Sequence, residues 1–239
     1  MWIKGHGPEA SKARPTRIAV SWVLVVLTFC AGSPLNSENP ARKQQHSLSG
    51  HQLVVLLDVN ANQRKVLPIE ISLAEGVIQR LNQPEDVFWV ITFGSQSPAL
   101  LKSGVGADEG LAAIREVKVE QTSEDDLSAH LYEALNLALG QFAGDGRPKS
   151  LLVITEGNDA RANAFEQTAS QAQRLHVTCD VAMVADHTFY GPKAIQRYGF
   201  YLRELAGKTR GLYVEVGGRP QRVPVAVDRL AKRILAQDR

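Results

Sequence analysis

Cysteine, methionine and aromatic residues are all scarce: two Cys, two Met and 6% Phe, Trp and Tyr in 239 residues. Two cysteines exclude a small disulfide-stapled scaffold. With 19 Gly and 11 Pro, the chain is neither collagen-like nor a low-complexity tract. Charge of one sign is lacking too, since 27 Lys and Arg stand against 25 Asp and Glu. A net charge of +2 is too slim a surplus to gather phosphates, so a nucleic-acid partner is excluded. What remains, 44% hydrophobic and 22% charged residues without an internal repeat, suits a globular chain with one sizeable core.

Residues 1–17 carry Lys4, Lys12, Arg14 and Arg17 against the single acid Glu9, and an uncharged run follows at 18–30. A basic leader, a short apolar stretch and then Ala31-Gly32-Ser33 make the three-part pattern of a secretory signal, assigned to 1–33. At about 1.5 Å per residue the run covers roughly 20 Å, too little for a hydrocarbon core about 30 Å thick. Leu27-Thr28-Phe29-Cys30 partly matches a bacterial lipoprotein box, although Phe29 stands where a small residue is wanted. Cleavage and a lipid anchor at Cys30 both stay open, and either gives an exported protein: periplasmic, in the cell envelope or extracellular. Residues 34–50, rich in Ser, Asn, Gln and Pro, read as a flexible tether, and the folded domain is assigned to 51–239. Cys179, inside a β-rich run, is expected to be a buried thiol.

From His51 the chain alternates strands with helices. Buried-strand runs fall at 52–57, 86–93, 150–155 and 177–184, with a short edge strand at 98–102 and a last strand at 211–216. Helical patterns fall at 66–81, 107–117, 127–142, 162–175, 195–206 and 224–235. In the first of these Ile69, Leu73, Val77, Ile78 and Leu81 form the apolar stripe, with Glu70, Glu75 and Arg80 elsewhere on the wheel. Such an alternation predicts an α/β fold, doubly wound, with a mainly parallel central sheet and helices on both faces. Ligands then collect where loops leave the carboxyl ends of the strands.

Nucleotide cradles are missing: no G-x-G-x-x-G follows the first strand and no G-x-x-x-x-G-K-[ST] occurs anywhere. Gly94-Ser95-Gln96-Ser97 lacks the second glycine of a nucleophile elbow, and no paired histidines stand at helical spacing to hold zinc. The loops carry oxygen side chains instead. Asp58-Val59-Asn60-Ala61-Asn62 leaves the first strand with polar groups at alternate positions. Thr155-Glu156-Gly157-Asn158-Asp159 leaves another, with Gly157 permitting a tight bend. A hard cation such as Mg²⁺ takes this kind of oxygen cage.

The LVVLLDVNAN opening, the 86–93 strand ending in Phe-Gly-Ser, HLYEALNLAL, RPKSLLVITEGND and LAGKTRGLYVEV occur in one order from Leu53 to about Leu235. Together they resemble a von Willebrand factor A (VWA) domain, and in particular the VWA-related form of exported acidobacterial proteins. That resemblance implies a Rossmann-like fold and a metal-ion-dependent adhesion site: an Asp-x-Ser-x-Ser loop, a threonine before the third helix, and an aspartate in a Thr-Asp-Gly loop. Asp58 matches the first aspartate, Asn60 and Asn62 stand at the two serines, Ala129 at the threonine and Glu156 at the loop aspartate. One of five ligand positions keeps the family residue, so the site is degenerate. An Asn amide can satisfy Asp58 without metal, Ala129 removes a hydroxyl that Ser128 would have to replace, and Glu156 adds a methylene.

These readings converge on an exported, non-enzymatic module that binds a protein, in adhesion or assembly, through the loops around Asp58, Ala129 and Glu156. Ser128, Ala129, His130, Asp159, Phe189 and Tyr190 are the candidate partner-contact residues. Mg²⁺ or another divalent cation is the one cofactor to test, held by Asp58, Asn60, Asn62 and Glu156. Membrane attachment runs through the N-terminal segment. Alternatives from other classes are a hydrolase using Asp58, Glu156 and Asp159 as acid/base groups, and a structural part of an envelope complex. Tyr198, Phe200 and Tyr201 read as core or boundary aromatics, and Arg219, Arg222, Arg229, Lys232 and Arg233 as a solvated face.

Overall fold

The computed structural model describes residues 50–122, 129–158, 162–185 and 191–238. The signal expected at 1–33 and residues 34–49 of the expected tether lie outside these. Residues 45–239 form a unit by themselves. Its sheet has the order β3-β2-β1-β4-β5-β6. The strands are β1 (Gln52–Asp58), β2 (Val87–Phe93), β3 (Ala99–Val105), β4 (Lys149–Thr155), β5 (Val177–Met183) and β6 (Tyr213–Glu215). Only β3, at one edge, runs antiparallel to its neighbour. The helices are α1 (Leu67–Arg80), α2 (Ala107–Arg115), α3 (Leu131–Leu139), α4 (Ala162–Arg174), α5 (Pro192–Lys208) and α6 (Val223–Leu235).

The unbroken apolar runs are explained by helices on both faces. Along β1, Leu53, Val55 and Leu57 enter a core built with α1, α2 and α6, while Val54 and Leu56 enter one built with α3, α4 and α5. All five are fully buried. Each such side chain contributes about 1.5–3 kcal/mol relative to exposure, which fixes the pleat and therefore the register. Gln52, Lys149 and Val177 stand level at one end of the sheet. At the other end Asp58 pairs with Phe93 and Thr155 with Met183, so the loops after four strands leave the same edge. The chain passes from β1 to β2 on one side and to β4 on the other, so the switch point lies between Asp58 and Thr155.

Several expectations need correction. Glu70 is not on the solvent side of α1: it is fully buried. It lies three residues before Leu73 and seven before Val77, hence on the apolar stripe. Phe200, expected at the core or boundary, is 54% exposed on α5. The last strand is only three residues long, because the Leu212 amide donates to the Asp180 carboxylate (2.8 Å) rather than extending the ladder. Gly211, just before it, packs so tightly that a β-carbon would collide with the Cys179 carbonyl. The helix expected at 127–142 is α3, which ends at Leu139; residues 123–128 lie outside the described set. Cys179 is free and buried, and burial pushes its thiol up to about 12, which leaves it inert as a nucleophile.

Candidate functional site

At the switch point the polar residues of two loops close on each other. Asp58, the last residue of β1, is fully buried. Its Oδ2 accepts from the Thr155 hydroxyl at 2.8 Å and its Oδ1 from the Asn60 amide at 3.2 Å. Thr155 Oγ1 in turn accepts from the Gly157 amide at 2.9 Å. The turn that delivers this amide needs a left-handed residue, and Gly157 has φ +86°. A β-carbon there would lie 2.8 Å from Leu202 Cδ1 and 3.1 Å from Tyr198 Cβ, so glycine is required on two counts. Across the crevice the Asn62 side-chain amide donates to Glu156 Oε1 at 2.7 Å, and Gln63 Nε2 donates to Asn62 Oδ1 at 3.3 Å. Asn62 and Gln63 lie in a 3₁₀ turn over Ala61–Lys65 that carries β1 into α1.

Electrostatics follow from burial. Asp58, Glu70 and Glu156 are exposed by 1% or less. Burial first, and the charge of Glu156 second, push the Asp58 carboxyl up to about 8, opposed by the hydrogen bonds from Thr155 and Asn60; Glu120 adds a further upward push. Glu70 lies behind them on α1 with neither carboxyl oxygen hydrogen-bonded. Burial, then the charges of Asp58 and Glu156, raise it well above the usual carboxylate range. Glu120 closes the side towards β2, accepting from the Ser95 amide at 2.9 Å and the Ser95 hydroxyl at 2.8 Å.

The structure thus brings Asp58, Asn60, Asn62 and Glu156 to one place. Ala129 joins the edge: it is buried, and the next amide, of His130, donates to the Gly94 carbonyl at 3.0 Å. His130 is half-buried, with Nδ1 2.8 Å from Glu133 Oε2. Ser128, Asp159, Phe189 and Tyr190 lie outside the described residues. The sequence reading placed Thr155 only within the oxygen-bearing loop, and it assigned no site role to Glu70 or Glu120. For Glu70 the missed signal was its spacing from Leu73 and Val77. Glu120 gave none, because its partner Ser95 is 25 residues away.

Residues 51–214 match the von Willebrand factor type A domain. The chain belongs to this family. Among solved structures, the VWA chain is similar to an aerotolerance-related membrane protein from Bacteroides fragilis, with 13% identity over 78% of this chain and 99% of that one, at a TM-score of 0.61. It is also similar to BatB from Bacteroides thetaiotaomicron, at 16% identity, 77% and 100% coverage and a TM-score of 0.57. A third is the vWF domain of the type V pili tip protein Mfa5 from Porphyromonas gingivalis, at 9% identity, 79% and 96% coverage and a TM-score of 0.59. At these identities the likeness is one of fold. No curated protein matches the chain.

VWA domains as a family can hold a divalent cation at this edge, and the donor set here does not fit one. Ala129 has no side-chain donor atom, the Asn62 amide nitrogen faces Glu156, and the Thr155 hydroxyl is spent on Asp58. No three His, Cys, Asp or Glu side chains among the described residues converge closely enough to hold a metal. Nor is any helix of the described residues long and apolar enough to cross a membrane.

Proposed function

We propose that this VWA domain is an exported, non-enzymatic module that binds a protein partner through the loops at the C-terminal ends of β1, β2 and β4. Residues 1–33 form the signal, 34–50 the tether and 51–239 the module, which sits in the periplasm, the envelope or outside the cell, with Cys30 as the lipid site if the signal is of the lipoprotein type. The observation that carries this reading is the buried hydrogen-bond cluster Asp58-Thr155 and Asn62-Glu156, which braces two loops of that edge without exposing a reactive group. A hydrolase built on Asp58 and Glu156 would need a substrate to reach carboxylates that are 0% and 1% exposed. A braced edge lowers the ordering cost of association, which favours recognition by loop side chains such as His130. Similarity in fold to a membrane protein and a pilus-tip domain supports an envelope setting.

Capture from the native envelope fraction tests the reading. The 45–239 unit should retain one protein, with EDTA as with Mg²⁺, and His130→Glu should release it while the thermal midpoint stays put. Equal capture by wild type and the His130 variant would overturn the assigned face.

A further inference from the structure

We propose that the opposite end of the sheet, where the strands begin, docks on an anionic lipid surface. A groove of about 490 Å³ opens there between the ends of α4 and α5, with His176, Thr178, Lys208 and Arg210 in its wall. Two observations mark it out. Among the described residues His176 (φ 55°) and Arg210 (φ 62°) are the only non-glycine residues with left-handed backbone, and both line this groove. Each follows a helix end, the position where glycine is the usual solution because it has no β-carbon to clash. Keeping a His and an Arg there sustains a steric cost that packing does not require, since both side chains are exposed.

The second observation is charge on the side where the chain enters. Lys208 and Arg210 are exposed in the groove wall, exposed Arg174 follows Gln173 of that wall, and Lys149 is half-buried nearby; of the acids at this end, Asp145 is paired with Arg147 and Glu85 is exposed. Lys208 is paired with Glu166 at 2.6 Å, and Lys149 reaches the Leu175 carbonyl at 3.4 Å. Arg233 stands behind, donating to the Arg210 carbonyl at 3.1 Å. Gln52, Lys149 and Val177 stand level, so the entry of the N-terminal segment lies two strands, roughly 10 Å, from the groove. Gly50, the first described residue, stands at this same end. Asp58 lies at the far end of a seven-residue strand, roughly 20 Å away, which leaves the partner-binding loops pointing outward. This inference does not depend on what those loops bind.

Flotation of the 45–239 unit with vesicles tests it, comparing phosphatidylcholine alone with phosphatidylcholine containing about one-third phosphatidylglycerol. Binding should favour the anionic vesicles about tenfold or more and fade at high salt, where screening shortens the reach of surface charge to about 3 Å. Arg174→Gln combined with Arg210→Gly should weaken it about 25-fold, at about fivefold per cation. His176→Gly with Arg210→Gly relieves both left-handed positions, so its thermal midpoint should hold or rise while vesicle binding falls about fivefold. Equal binding to neutral vesicles, or variants that bind like wild type, would overturn the proposal. So would competition by millimolar inorganic phosphate, which would make the groove a small-anion site instead.

Discussion

Asp58→Asn should stabilise this protein, although it alters the position that the sequence resemblance matches to the family's first metal-ligand aspartate. The folded carboxyl is raised from 3.8 to about 8, with burial and the neighbouring Glu156 as the leading causes. A carboxyl raised on folding gives stability that is complete below its unfolded value and lost as pH rises through the folded one. The loss therefore accumulates between about pH 4 and 8. At pH 7 folding must retain a proton that the unfolded chain has released, at a cost of about 4 kcal/mol as an upper bound. An amide escapes that cost and keeps one oxygen for the Thr155 hydroxyl or the Asn60 amide. Its NH₂ then needs an acceptor, and an imperfect one gives back about 2 kcal/mol. The net gain of about 2 kcal/mol raises the midpoint by about 4–8 °C for a unit of this size. Thermal unfolding at pH 6, 7 and 8, with and without EDTA, reads both the gain and the flattened pH profile of the variant. The reasoning is refuted if the variant melts below wild type and EDTA brings wild type down to meet it, because a bound cation would then be stabilising the ionised carboxylate.

Three further outcomes follow from the same geometry. Thr155→Val keeps the volume but strips Asp58 of its hydroxyl donor and Gly157 of its acceptor, so denaturant titration should show a loss of about 3 kcal/mol. Gly157→Ala meets a positive φ and a contact 2.8 Å from Leu202 Cδ1, and should lose about 2–4 kcal/mol by the same titration. Asp180, raised to about 6 by burial against the Leu212 amide and the Arg233 charge, contributes stability that is present below about pH 4 and lost as pH rises through about 6. Asp180→Asn should therefore remove about 3 kcal/mol of pH dependence from that window, measured as midpoint against pH.

The architecture was legible because burial on both faces of the sheet leaves a local signature. Runs such as 52–57 and 150–155 have no polar alternation, and a strand covered by helices on both sides needs none. Element ends were harder. The last strand stops short because of Asp180, more than thirty residues away, and because Gly211 must squeeze against Cys179; neither contact shows in a local pattern. At the site, the nearness of Asp58, Asn60, Asn62 and Glu156 is legible because they sit on loops that the strand pattern exposes. Which atom each of them offers was not legible. That the Asn62 amide nitrogen faces Glu156, and that Thr155 serves Asp58 and Gly157 together, depends on register between strands almost a hundred residues apart. Glu70 shows the opposite failure: its position on the apolar stripe was readable, but its charge argued for the solvent side.

Titration calorimetry of the 45–239 unit with Mn²⁺ and Mg²⁺ tests most directly whether hydrogen bonds stand in place of a cation at the switch point. With Asn62 donating to Glu156 and Thr155 to Asp58, no saturable heat should develop up to millimolar metal. Stoichiometric binding that Asp58→Asn abolishes would contradict the account.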